Sequence, residues 1–179
     1  SEGTLDVGLA ADVSTVPYGS LVQVLREEEI FLAVSMFHPY ALTHLSGTPI
    51  TAEEVKANFA NDSLLLSKKG SSLRMIGDQF FDSCGFEPVA VCETNNIAAT
   101  RSMVAQNAGV AFISESCSIN RNNIAYYPLS PAMKRLNLVV RQKDWVLNEP
   151  EQTFMDLILN YFKQNTEHPY LAEKYSISF

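Results

Sequence analysis

The sequence predicts an α/β fold with a largely parallel sheet, and three observations carry that prediction. Short apolar runs of strand length alternate with segments whose apolar residues recur at helical spacing. The order along the chain is strand–helix–strand–helix–strand, the pattern of an α/β layer. Turn and cap residues stand where one element must give way to the next.

Thr4–Ala10 (TLDVGLA) reads as a short buried strand, and Asp12 to Ser20, with Pro17 and Gly19, as a loop. Leu21–Leu25 alternates weakly, and Glu27–Glu29 reads as a solvated acidic patch. Ile30–Met36 (IFLAVSM) is a continuous apolar run whose length favours a strand. His38-Pro39 ends it, because proline pushes its predecessor out of the helical region. After the turn Gly47-Thr48-Pro49, Thr51 and Glu54 fit the capping-box pattern, so a helix should run to about Ala60. Ser63–Ser67 is the next buried strand. Gly70-Ser71-Ser72 opens a helix with Leu73, Ile76, Phe80 and Phe81 on one face, and Gly85 closes it.

Glu87-Pro88 begins the strand Val89–Cys92. Thr94, Asn95 and Asn96 are all good N-cap types. The helix that follows carries Ile97, Thr100, Met103 and Val104 on one face and stops near Asn107, which tolerates the left-handed conformation. Val110–Ile113, Ile124–Tyr127 and Leu136–Arg141 are further strands. Pro150 marks the start of the last long helix, whose apolar face is Phe154, Leu157, Ile158 and Tyr161. Lys163 to Phe179 reads as a tail.

Composition excludes several function classes. The formal charge is −7 and no basic run exceeds Lys68-Lys69. Because a duplex is a dense line of negative charge, this chain should not hold DNA by itself. No apolar run is long enough to cross a bilayer, and no secretory signal opens the chain, so a cytoplasmic location is expected. Cys84, Cys92 and Cys117 are odd in number and lack a C-x-x-C spacing, so no disulfide or metal use is expected. His38, His44 and His168 do not cluster with acids or thiols, and neither a metal nor a cofactor is expected.

Three stretches, taken together, resemble the effector-binding domain of LysR-type transcription regulators. Gly3-Thr4-Leu5-Asp6-Val7-Gly8-Leu9 is similar to the family's "G-x-lDvgl" strand. Ile30–Pro39, followed by Ile50–Val55, resembles its "HP" strand and the helix start after it. The block from Leu64 to Ser114 follows the family's order without a large gap. The chain departs from the pattern at Asn107, where glycine is usual, and at Ser114, where proline is usual. At the front, the strands and helices that ordinarily precede the "lDvgl" strand, and the helix-turn-helix before them, are missing.

The resemblance implies a two-lobed fold of the type-2 periplasmic-binding-protein kind. On that map Ser1–Phe37 and Met133–Phe179 form a partial first lobe, residues 38–132 form a complete second lobe, and Ile30–Met36 and Leu136–Arg141 cross between them. The resemblance also implies a small-molecule effector in an inter-lobe cleft, contacted by Ser71, Ser72, Leu73, Thr94, Asn95 and Asn96. Local chemistry is compatible: both segments join a strand to a helix, and the first turn of a helix has unpaired amides and partial positive charge, which suit a carboxylate, phosphate or sulfate. The same residue types are also ordinary caps. Lys68 and Lys69 either attract the anion or form a solvated pair, and Phe112 either lines the cleft or packs in the core.

Control of DNA binding would act through a helix-turn-helix outside this chain. Self-association, as a dimer or higher, is expected from an apolar edge around Thr4–Ala10. No enzyme activity is expected: there is no G-x-S-x-G elbow, and Asp6 and Asp12 make no acid/base pair. Thiol redox sensing is not expected either, since Ser72 stands where a peroxide-sensing subclass has its cysteine. The alternative is a solute-binding protein of the same fold serving a transport system.

Overall fold

The computed structural model describes residues 7–11, 20–118 and 123–164. Its contacts divide the chain into two units, Ser1–Glu27 with Arg135–Phe179, and Glu28–Lys134. Strands β2 (Ser20–Ser35) and β8 (Lys134–Gln142) each run through the division. The expected loop at residues 12–19, the front of the first strand at residues 4–6 and the tail beyond Gln164 lie outside the described residues.

In the first unit β1 (Val7–Ala10) pairs antiparallel with β8, from Val7 opposite Arg141 to Ala10 opposite Leu138. Helix α5 (Glu149–Gln164) begins at a reciprocal cap. Asn148 Oδ1 accepts from the Glu151 amide at 3.0 Å, and Glu151 Oε2 accepts from the Asn148 amide at 2.8 Å. The helix forms where Pro150 indicated, but its apolar face is not covered: Leu157 is 64% and Tyr161 61% exposed, and Met155 is its one buried side chain among those described. Periodicity shows that a face exists; it does not supply the surface that covers it.

The second unit is built on strands β3 (Ile50–Thr51), β4 (Ser63–Leu66), β5 (Val89–Glu93), β6 (Val110–Ser114) and β7 (Ile124–Ser130), together with the later part of β2. Its order is β3-β7-β2-β6-β4-β5. The pairs β4–β5, β4–β6 and β3–β7 are parallel, whereas β2 is antiparallel to both β6 and β7. The sheet is therefore mixed rather than largely parallel, because β2 enters the unit against the direction of its neighbours.

Parallel neighbours need a crossover, and helices supply it. Helix α2 (Ala52–Phe59) starts with the expected capping box: Thr51 Oγ1 accepts from the Glu54 amide at 3.2 Å and Glu54 Oε2 accepts from the Thr51 amide at 2.8 Å. Helix α3 (Ser72–Cys84) connects β4 to β5 and ends on Gly85 with φ +67°, a conformation that glycine adopts without steric cost. Helix α4 (Ile97–Ala105) connects β5 to β6 and gives way at Asn107, φ +59°.

The two helices cover opposite faces of the sheet. Ile76, Phe80 and Phe81 of α3 share one cluster with Leu64, Leu66, Val110 and Phe112, while Val104 of α4 shares another with Leu65, Ala111 and Ile113. Burying one such side chain is worth about 1.5–3 kcal/mol. Phe112 belongs to this packing, edge-on to Phe80 with ring centroids 5.5 Å apart. It is a core residue.

Two local expectations are corrected. Glu27–Glu29 does not interrupt β2 as a solvated patch: Glu28 is 1% exposed, and its Oε2 accepts from the Ser116 amide at 3.2 Å. A buried carboxylate persists where hydrogen bonds offset its desolvation, so strand alternation carries through the acidic run. After β2 comes an unexpected short helix, α1 (Pro39–Thr43). His38 Nδ1 accepts from the Tyr40 amide at 3.1 Å, its Nε2 faces Asp62 Oδ2 at 3.0 Å, and Pro39 occupies the first helical position that suits it.

Gly109 permits β6 to approach β4, since a Cβ there would meet the Ser63 carbonyl oxygen at 2.6 Å. Gly109→Ala should lower unfolding free energy by about 1–3 kcal/mol in denaturant titration, the usual cost of forcing atoms into a filled site.

Candidate functional site

Strand β4 lies between β5 and β6, and the chain reaches those two neighbours through helices on opposite faces. This is the arrangement that opens a crevice at strand carboxyl ends in α/β sheets. The junctions after β4 and after β5 both lie at that edge, and they contain all six residues singled out from sequence.

Ser71 is the N-cap of α3: its Oγ accepts from the Arg74 amide at 3.2 Å and donates to the Lys68 carbonyl at 2.9 Å. Ser72 begins the helix and is only 7% exposed. Leu73 is half-buried and packs on the α3-side core cluster. Thr94 Oγ1 accepts from the Asn96 amide at 3.0 Å, and Asn96 Oδ1 caps α4 by accepting from the Ala99 amide at 3.1 Å. Asn95 reaches across to the other junction, where its Oδ1 accepts from the Lys68 amide at 2.9 Å. The Thr94 amide donates to the Leu66 carbonyl at 2.9 Å. The two junctions are thus adjacent and directly bonded.

What this edge offers chemically is donors. Among the described residues, the amides of Ser72 and Leu73 at the start of α3, and of Ile97 and Ala98 at the start of α4, take no acceptor. They carry the positive ends of two helix dipoles. Lys68 and Lys69 are exposed beside them.

Sequence reasoning missed Arg74. From the first turn of α3 its Nε donates to Asp78 Oδ1 at 2.8 Å, and its Nη1 donates to the Ser67 carbonyl at 3.1 Å and to Glu93 Oε1 at 2.7 Å. The spacing Arg74–Asp78 was a usable signal for one of these bonds. The bond to Glu93 joins different elements and has no sequence signature. The Arg74 hydrogen bond holds the Glu93 carboxyl below its ordinary range, with the charges of Arg74 and Lys69 acting in the same direction against desolvation. A depression of about 660 Å³ lies against this cluster, lined by Leu66, Phe81 and Phe86 and by four carboxylates, Asp78, Asp82, Glu87 and Glu93, against Lys69 and Arg74. That balance repels anions, and none of the six candidate residues lines it.

The other chemistries find little here. Among the described residues, no group of three His, Cys, Asp or Glu side chains could hold a metal ion, and no helix is long and apolar enough to cross a membrane. All three cysteines are free thiols, and burial pushes the Cys84 thiol up from its usual value.

A family model described as "LysR substrate binding domain" matches residues 1–163. The chain belongs to that family. It is 26% identical over 164 residues to an uncharacterized HTH-type transcriptional regulator, YybE, of Bacillus subtilis (strain 168), covering 90% of this chain and 53% of the relative. The chain thus spans about half the length of that regulator.

Among solved structures, the fold matches the Synechocystis PCC6803 CcmR regulatory domain in complex with 2-PG (TM-score 0.71, 19% identity, 89% of this chain and 74% of that one). It also matches the effector-binding domain of QuiR in complex with shikimate (TM-score 0.71, 19% identity, 89% and 73%). The reduced OxyR regulatory domain from Pseudomonas aeruginosa is similar as well (TM-score 0.67, 20% identity, 90% and 74%). These likenesses establish the mixed α/β, periplasmic-binding-protein-like fold of LysR effector-binding domains.

Both departures from the LysR pattern have local explanations. Asn107 adopts the left-handed conformation that glycine usually supplies. Ser114 has φ −73°, within the range that proline fixes, so its backbone is one that either residue adopts.

The Glu93 titration has a definite sign. Its folded value is depressed, so the ion pair with Arg74 is intact at neutral pH and is lost only as pH falls through that depressed value. An NMR titration of the Glu93 carboxyl should show a midpoint below 4.5, the ordinary glutamate value. Arg74→Met should move the midpoint up towards it.

Proposed function

We propose that this LysR domain binds a small anionic metabolite at the edge formed by Ser71, Ser72, Leu73, Thr94, Asn95 and Asn96. Binding there would control DNA binding by a helix-turn-helix on the same regulator. The observation that carries the reading is the adjacency of two capped helix starts whose first amides take no acceptor. An anion placed there would gain donors and two favourable dipoles with little reorganisation. The complexes of CcmR with 2-PG and of QuiR with shikimate support a small acidic effector by analogy. The HTH-type name of the Bacillus relative favours transcription control in the cytoplasm over a transport role, and a binding role over an enzymatic one.

Calorimetric titration should therefore detect at least one binder among small carboxylates and phosphorylated acids, with 2-PG and shikimate as first probes. Ser72→Trp, which crowds the start of α3, should weaken it at least tenfold. A binder indifferent to substitutions at both junctions, or a panel with no binder, would overturn the assignment.

The partner we assign to the first unit is a second copy of the chain. Leu9, Phe154, Leu157 and Tyr161 are large apolar side chains exposed on β1 and α5, and side chains of this kind gain free energy when a surface covers them. Sedimentation velocity should show concentration-dependent association that Leu157→Glu with Tyr161→Glu abolishes; a monomer at all concentrations would exclude it.

A further inference from the structure

Arg74 sits beside the start of α3, where an arginine would ordinarily be taken for the counter-ion of a bound anion. Its bonding argues otherwise. Nε is held by both oxygens of Asp78, at 2.8 Å and 3.1 Å, and Nη1 is shared between the Ser67 carbonyl at 3.1 Å and Glu93 Oε1 at 2.7 Å. Three of the five N–H groups of the guanidinium, the Nε–H and both Nη1–H, are committed to acceptors of the chain itself. Two carboxylates already compensate the single positive charge of Arg74, so it is not a free counter-ion for an anion. The side chain is 12% exposed while its partners Asp78 and Glu93 are 49% and 41% exposed, so it is the arginine that is enclosed.

The positions of these partners give the arrangement its meaning. Ser67 follows the last residue of β4, and Glu93 is the last residue of β5. Arg74 therefore ties the carboxyl ends of both strands to the first turn of α3. Asn95 ties the same two junctions through the Lys68 amide.

We propose that Arg74 is a positioning residue: with Glu93 it clasps the two junctions so that the helix starts of α3 and α4 keep a fixed spacing before any ligand arrives. The importance of that spacing rests on the ligand site proposed above; the clasp itself is a property of the ligand-free chain. Preorganisation of this kind raises affinity by removing the ordering cost from the binding step.

The test uses the full chain without ligand, so its outcome is independent of whether any effector is found. NMR-detected hydrogen exchange follows the amides of Lys68 and Ser71 at one junction and of Thr94 and Asn96 at the other. The amides of Glu54 and Asn107, which close caps elsewhere, serve as controls. Arg74→Met should accelerate exchange at least threefold at both junctions and leave the controls unchanged. Glu93→Ala, at an exposed position on the edge strand, should do the same at both junctions, and it supplies the test should Arg74→Met fail to fold. Arg74→Lys, which cannot bridge three acceptors with one planar fork, should give an intermediate acceleration. Acceleration confined to Lys68 and Ser71 would reduce Arg74 to a local cap and overturn the clasp. Equal acceleration of the controls, or none anywhere, would overturn it too.

Discussion

Because β4 and β5 run parallel and adjacent, their carboxyl ends must lie at one edge of the sheet, and the helices that follow them must both start there. The position of every candidate residue follows from that pairing. With β6 on the other side of β4, the two connections have to leave by opposite faces, and the division of the apolar residues into an α3 cluster and an α4 cluster is the packing record of that choice. The chain thus meets the topological condition for a crevice before any polar residue is considered. Side chains then decide what is left there: hydroxyl and amide caps satisfy the third amide of each helix, and the first two take no acceptor.

The electrostatics of the edge are local. A chain of net charge −7 is an unpromising anion binder in bulk, but interactions beyond about 8–10 Å are screened at physiological ionic strength, so the nearest dipoles and charges dominate. Here those are two helix starts and the exposed Lys68 and Lys69, while the acidic neighbours Asp78 and Glu93 are engaged by Arg74. The depression beside α3 makes the contrast plain. It has room for a ligand, yet its lining is acidic, which disfavours an anion there.

Much of this could be read from the amino-acid order because it is written in short-range rules. The Thr51–Glu54 box, Gly85 after α3, Asn107 after α4 and the Ser71 and Asn96 caps all depend on residues within four positions of one another. The elements that escaped depend on distant partners or on surfaces that periodicity cannot report. Glu28 looks solvated until the Ser116 amide, 88 positions away, is seen to engage it. The helix at Pro39–Thr43 spans too few residues for a period to register, and a histidine ring serves as its cap. The apolar stripe on α5 was identified correctly as a stripe, but whether a stripe is covered is decided by the rest of the structure. Arg74 was overlooked for the same reason as Glu28, since only one of its acceptors lies within a helical turn.

The proposed recognition through backbone donors has a consequence for selectivity. Amides at a helix start supply charge complementarity and direction, but they are the same whatever the side chains, so they identify an acidic group without identifying the rest of a ligand. Discrimination between two acids of similar charge must then come from the side chains that reach beyond the caps and from the spacing of the two helix starts. Thr94 and Asn96 are spent on local caps and Asn95 on the bond to Lys68, which leaves few free polar groups at the junctions to read a ligand's remaining atoms. Under the proposed reading, spacing carries more of the selectivity here than side-chain identity does. A clasp that sets the spacing would then influence which acid fits without touching it.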